Sequence, residues 1–183
     1  QIYDEHVFMF SVHSIKKIFE RYGFKLVDVL PQLTHGGSMR YVVTKKRGIK
    51  ISPNVQKYLN NETKNNIDNI NGCLKFKNNC LLSKKKLTEK IEKIKNDNKK
   101  IVGYAATSKS TTILNYCEIN KSHIDCIYDT TKEKIGKFTP GTHIPIFDMK
   151  KFQSSTKDYV YLFAWNHKQE IFKKEKTFTK NGG

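Results

Sequence analysis

Lys100-Ile101-Val102-Gly103-Tyr104 is a short apolar run, followed by the small-residue stretch Ala105-Ala106-Thr107-Ser108-Lys109-Ser110 and a helical pattern from Thr111 to Cys117. A run this short suits a buried strand. A strand that leads through small residues into a helix is the building unit of a parallel α/β sheet. It also sets backbone amides at a helix amino end, where an anion is favoured. Lys109 adds a point charge there. The spacing is not that of a Walker loop and lacks G-x-G-x-x-G. Small residues here serve tight helix-on-strand packing as readily as they serve a phosphate.

The same alternation continues to the end of the chain. Ile124 to Asp129 reads as the next strand, with Asp129 at its carboxyl end, where Rossmann-like folds hold a ribose; the same carboxylate can equally cap the following turn. Thr139-Pro140-Gly141-Thr142 is a turn before a strand from His143 to Phe147. Asp158 to Trp165 is an apolar strand, and a last helix runs from Asn166 to about Lys176. Residues 99–183 therefore read as a Rossmann-like, mostly parallel α/β domain.

Upstream, Ser11 or Ser14 caps a helix that runs to about Tyr22, with Ile15, Ile18, Phe19 and Tyr22 at helical spacing and Gly23 ending it. Phe24 to Leu30 alternates as a strand, Pro31 to Gly37 turns, and Ser38 to Thr44 is a second strand. Residues 46–98 form a helical, Lys/Asn-rich linker. Ser52-Pro53 starts its first helix, Asn60 to Asn71 reads as a surface loop, and a long helix follows from Cys73 to Asn98. Cys80, Leu87, Ile91 and Ile94 make one apolar stripe on that helix, with lysines opposite.

Charge and cysteine usage narrow the function classes. Lys and Arg outnumber Asp and Glu by 34 to 17, a net +17. Such a field draws in any polyanion. The lysines are spread among Asn and Ile with no basic helix-turn-helix or aromatic RNA-binding signature, so no specific nucleic-acid partner is expected. No apolar run is long enough to span a bilayer and no signal peptide is visible, which leads us to expect a cytoplasmic protein without membrane contact. Cys73, Cys80, Cys117 and Cys126 contain no C-x-x-C pair, so no metal site is expected from them.

The amino end concentrates proton-handling groups. Tyr3, Asp4, Glu5 and His6 put a phenol, two carboxylates and an imidazole side by side. A carboxylate beside an imidazole raises its basicity and fixes its tautomer, as a general base needs. A polar loop before a helix has the same composition. His35, in Thr34-His35-Gly36-Gly37-Ser38, is a second pocket candidate, while His13, His123 and His167 have no sequence companions that suggest chemistry.

Four motifs occur in order: Tyr3-Asp4-Glu5-His6 with Phe10-Ser11; Thr34-His35-Gly36-Gly37-Ser38-Met39-Arg40; Leu114-Asn115-Tyr116-Cys117; and Pro140-Gly141-Thr142-His143-Ile144-Pro145-Ile146. Their succession closely resembles the S-adenosylmethionine-dependent sugar C-methyltransferases, which methylate a carbon of a nucleotide-linked keto-deoxysugar. The resemblance is interrupted over residues 45–98. It implies that residues 1–45 are the carboxyl end of a class I methyltransferase domain, and that residues 99–183 are the family's carboxyl-terminal domain. By the same match His6 is the base, with Tyr3 and Glu5 holding the sugar or orienting the imidazole. His35, Lys109, Thr112 and His143 would contact the substrate, a nucleotide-diphosphate sugar, although packing or a sheet-edge hydrogen bond explains His143 equally. Asn166, at the carboxyl end of a strand where α/β sheets bind ligands, is a further candidate that can equally cap the last helix.

The resemblance also implies S-adenosylmethionine as methyl donor, bound mainly by an upstream half that this chain lacks. A zinc-binding domain at the family's amino end has no counterpart here either. The chain thus reads as a fragment, inactive alone. The alternative is a stand-alone nucleotide- or polyanion-binding α/β module without catalysis. Ala105, Ser110-Thr111 and Glu118 depart from the family pattern, standing where a glycine, a glycine-asparagine pair and a glycine are usual.

Overall fold

A computed structural model describes residues 7–34 and 37–180. They fall into two compact units, residues 7–80 and 81–180. Helix α3 (Ile70–Asn96) begins in the first and ends in the second.

The first unit is a helix, an antiparallel hairpin and a second helix. Helix α1 (Val12–Glu20) starts in a reciprocal capping box: the Ser11 hydroxyl accepts from the Ser14 amide, and the Ser14 side chain returns the bond to the Ser11 backbone. Strands β1 (Lys25–Gln32) and β2 (Ser38–Thr44) pair antiparallel, with a register irregularity between Leu26 and Asp28. Helix α2 (Pro53–Lys64) is capped by Ser52, with Pro53 in its first turn. Val12, Ile15, Leu26, Val29 and Val55 form the core between them. A carboxylate from the far end of α2 completes the amino end of α1. Glu62 accepts from the amides of Val12 (2.6 Å) and His13 (3.0 Å), and also meets His13 Nδ1 at 2.8 Å. The helix dipole favours a negative charge at that place.

The second unit carries a four-stranded sheet in the order β5-β4-β3-β6, every neighbouring pair parallel. Its strands are β3 (Ile101–Tyr104), β4 (Ile127–Asp129), β5 (Ile146–Asp148) and β6 (Tyr159–Leu162). Alternate residues divide cleanly between the two faces. Ile101, Ile127, Ile146 and Phe163 join Ile91, Leu114 and Ile119 in one core, against α3 and helix α4 (Ser108–Cys117). Val102, Tyr104, Tyr128 and Phe152 form the other. Gly103 is required by this packing, because a Cβ there would stand 2.7 Å from Ile127 and 2.8 Å from Phe163. The α/β class and the parallel sheet are thus as the sequence pattern implies.

Element ends differ from the sequence reading for local reasons. Helix α4 begins at Ser108, because the Thr107 hydroxyl accepts from the Ser110 amide; Lys109 and Ser110 therefore sit in its first turn, not in a loop. Strand β5 begins at Ile146, because His143 has φ +54° and donates its amide to Thr139 as a turn residue. The loop expected over 60–71 is shorter: α2 runs to Lys64 and α3 starts at Ile70. The last helix is divided into α5 (Lys168–Lys174) and α6 (Lys176–Lys180) around the buried Glu175.

Candidate functional site

The strand order creates a crevice. From β3 the chain builds outward to β4 and β5, then returns to place β6 on the other side of β3. In open parallel sheets ligands bind outside the carboxyl ends of the strands at such a reversal. Here the segments after β3 and after β6 flank it: Ala105 to Lys109 on one side, Phe163 to His167 on the other.

Two substrate candidates meet there. Lys109 Nζ lies 3.4 Å from the side-chain oxygen of Asn166 and 5.5 Å from the centre of the Trp165 ring. The Trp165 indole is about half exposed. The Thr107 hydroxyl takes up the Ser110 amide, while the amides of Ser108 and Lys109, in the first turn, have no intrahelical acceptor. A cation, an exposed aromatic face, a carboxamide and helix amino-end amides suit an anion carried on a ring or sugar. Beside the amino end of α4 a cavity of about 340 Å³ is lined by Thr107, Ser110, Thr111, Lys134, Lys137 and Phe138. A second, of about 310 Å³, lies over the strand ends against Tyr104, Ala105, Thr130, Ala164 and His167.

Asp129 ends β4 where a ribose-binding carboxylate would stand, and its second reading is the one observed. It is 5% exposed, and its two oxygens accept from the amides of Thr131 (2.7 Å) and Ala106 (2.6 Å). Thr112 lies one turn beyond Ser108 on α4, its hydroxyl 3.4 Å from the Ser108 carbonyl. His143 is exposed and precedes β5, so it belongs to the amino-terminal edge of the sheet. There the Asn115 amide donates to the Pro140 carbonyl at 3.0 Å, and a Cβ on Gly141 (φ +77°) would collide with the Asn115 side chain. The motifs Leu114–Cys117 and Pro140–Ile146 therefore meet, at the edge opposite the crevice that holds Lys109 and Asn166. Tyr3, Glu5, His6 and His35 lie outside the described residues.

Some of what the fold reveals had no sequence signal. Glu175, between lysines in a charged tail, is buried and accepts from the Tyr104 hydroxyl (3.0 Å) and the Gln153 amide. Burial first, then the Glu175 carboxylate, pushes the Tyr104 phenol far above its ordinary range. His13 has Glu62 as a companion, and His167 faces Glu170 at 3.9 Å. Lys134 donates to the Ala106 carbonyl at 2.7 Å. Cys117 and Cys126 are buried, and that burial raises both thiols. Among the described residues no cluster of three His, Cys, Asp or Glu could hold a metal ion, and no helix is long and apolar enough to cross a membrane.

Comparison with known proteins fits this architecture. A family model described as the C-methyltransferase C-terminal domain matches residues 33–183, taking in β2, α2 and α3 as well as the parallel sheet. Over all 183 residues the chain is 31% identical to the C-methyltransferase NovU of Streptomyces niveus, and it spans 44% of that protein's length. With the match covering most of its length, the chain belongs to the C-methyltransferase C-terminal domain family.

Proposed function

We propose that this chain is the carboxyl part of an S-adenosylmethionine-dependent C-methyltransferase whose substrate is a nucleotide-linked keto-deoxysugar. The family match over residues 33–183 carries the reading. The crevice beside β3 and β6 supports it, because Lys109, Trp165 and Asn166 offer a cation, a ring face and a carboxamide to a sugar diphosphate.

In this reading the His6 imidazole takes the proton from the carbon next to the sugar keto group. The electron pair left behind spreads onto the keto oxygen as an enolate, which leaves that carbon nucleophilic toward a methyl donor. Tyr3 and Glu5 hold the sugar or orient His6, and His35 and Thr112 complete the substrate contacts, while His143, at the opposite edge of the sheet, is left out of them. S-adenosylmethionine supplies an electrophilic methyl group when bound. The β1–β2 hairpin does not offer it a site: the turn after β1 leads into an antiparallel strand, not into a helix whose amino end could face the donor.

Trp165 is the one tryptophan of the chain and lies at the crevice, so its emission reports occupancy. Titration with a thymidine-diphosphate sugar is expected to give a saturable change that survives moderate salt, and S-adenosylmethionine none. A signal that salt abolishes, and that any polyphosphate reproduces, would instead mark a polyanion-binding module.

A further inference from the structure

We infer that Asp129 and Lys134 are positioning residues that clamp the β3–α4 loop, presetting the amino end of α4 and Lys109 for an anionic ligand while closing the ribose position at the end of β4. The inference rests on the reading of that crevice as a sugar-nucleotide site.

The two peptide groups that flank Ala106 are each held by a charged side chain. The Ala106 N–H donates to Asp129 Oδ2 at 2.6 Å, and the Ala106 carbonyl accepts from Lys134 Nζ at 2.7 Å. The two clamping groups are themselves 4.0 Å apart. Charge-assisted bonds of this kind are short and about twice as strong as neutral ones. The other Asp129 oxygen is bound to the Thr131 amide, so the carboxylate is anchored to the turn that leads to Lys134.

The clamp acts on a backbone that would otherwise relax. Ala105 has φ +70°, a conformation that costs a residue with a Cβ roughly 1–2 kcal/mol. Such a residue persists only where its surroundings over-determine it. The Ala105 amide is tied to the Tyr128 carbonyl at 2.8 Å, and the Thr107 amide to the Ala105 carbonyl at 3.1 Å. The next residue, held by Asp129 and Lys134, fixes the exit from the kink. That exit sets Thr107, the cap of α4, and Lys109 two residues further on. A loop already ordered spares a ligand the entropy of ordering it.

The same geometry explains why the nucleotide-binding habit of such sheets is not repeated at β4. Each Asp129 oxygen already accepts an amide, and at 5% exposed the carboxylate offers little surface to ribose hydroxyls. The Ala106 amide is likewise spent before any phosphate arrives.

The test uses the whole chain carrying Asp129→Asn, Lys134→Met or, as a control, Lys109→Ala. Hydrogen exchange is read at Thr107, Ser110 and Thr111, whose amides bond to neither clamping residue. Both clamp variants are expected to speed that exchange about tenfold and to weaken thymidine-diphosphate sugar binding about tenfold. Lys109→Ala should weaken binding and leave exchange unchanged. Unchanged exchange in folded Asp129→Asn and Lys134→Met overturns the clamp. Faster exchange with undiminished affinity overturns its link to the ligand, leaving only a structural role. If the wild-type chain binds no sugar nucleotide, the functional reading falls, and the exchange rates still decide whether the clamp exists.

Discussion

Asn115 at the end of α4 donates its side-chain amide to the carbonyl of Pro140, 3.0 Å away, and to the Thr111 carbonyl at 2.8 Å. This bond fastens a helix to the turn before β5, and a Cβ on residue 141 would push the Asn115 amide out of place. Asn115→Ala is expected to cost about 1 kcal/mol. Gly141→Ala should cost about 1–3 kcal/mol, combining the clash with a positive φ. The double variant should lose less than the sum, since removing the Asn115 amide relieves the clash and leaves only the backbone strain. Urea unfolding followed by Trp165 emission measures all three, and strict additivity would separate the two residues.

Lys109 belongs to the opposite edge of the same sheet, and its removal should have the opposite profile. It makes one weak 3.4 Å contact with Asn166 and lies over Trp165, so Lys109→Ala should change stability by less than about 0.5 kcal/mol. Affinity for a thymidine-diphosphate sugar should fall about five- to tenfold at low salt, and the difference should shrink as salt rises. Equal affinity of the variant and the wild-type chain would take Lys109 out of the site.

These two cases show which kind of information the sequence carries. Patterning located β3, β4 and β6 and the helix after β3, because apolar alternation and small-residue turns are local signals. Position at a helix amino end and at a strand end marked Lys109 and Asn166 as candidates, yet only the strand order shows that they meet, since 57 residues separate them. The Asn115–Gly141 pair reads as a motif in sequence and as packing in space. Glu175 and Glu62 were illegible as anything special: each sits in a polar helical stretch, and their partners Tyr104, Val12 and His13 lie more than forty residues away. Thr107 was legible as a small loop residue but not as a cap, and that displaced the start of α4 by three residues.

Glu62 offers the sharpest stability test in the first unit. Its carboxylate serves two amides and an imidazole while only 13% of the side chain is exposed. Hydrogen bonds to a charged acceptor contribute about 1.5–3 kcal/mol. Glu62→Ala should therefore destabilise the unit by about 2 kcal/mol, and Glu62→Gln, which keeps one acceptor, by about half of that. Hydrogen exchange at Val12 and His13 reads the effect directly. Unchanged protection in Glu62→Ala would mean that the Ser11–Ser14 capping box suffices for α1.

Asp158 gives a dependence on pH. The Lys100 amide donates to its carboxylate at 2.8 Å and the Lys99 ammonium lies 3.3 Å away, and these contacts, the backbone bond first, hold its pKa below the ordinary carboxylate value. A carboxylate with a depressed folded pKa contributes stability above its unfolded pKa and loses it as pH falls through the folded one. Asp158→Asn should be less stable than the wild-type chain at neutral pH, and the gap should close below about pH 4. Urea midpoints measured from pH 3 to pH 8 check this. A gap that stays constant would assign the difference to packing and not to charge.

Ala105 and Glu118 both adopt left-handed backbone, with φ +70° and +59°. The strain on Ala105 is roughly 1–2 kcal/mol. Introducing glycine returns part of that gain, because glycine loses about 0.5–1 kcal/mol more in chain entropy on folding. Ala105→Gly should therefore stabilise the second unit by about 0.5–1 kcal/mol. Glu118→Gly gains the same relief but gives up the 2.6 Å contact with Lys84, so its net gain should be smaller than that of Ala105→Gly. Thermal unfolding of the two variants orders them. If Ala105→Gly stabilises the unit while speeding exchange at Thr107, the strained residue and the Asp129–Lys134 clamp act together to hold the loop. If it destabilises the unit, the Ala105 methyl is packing against the core of Val102, Tyr104, Tyr128 and Phe152 strongly enough to outweigh its backbone strain.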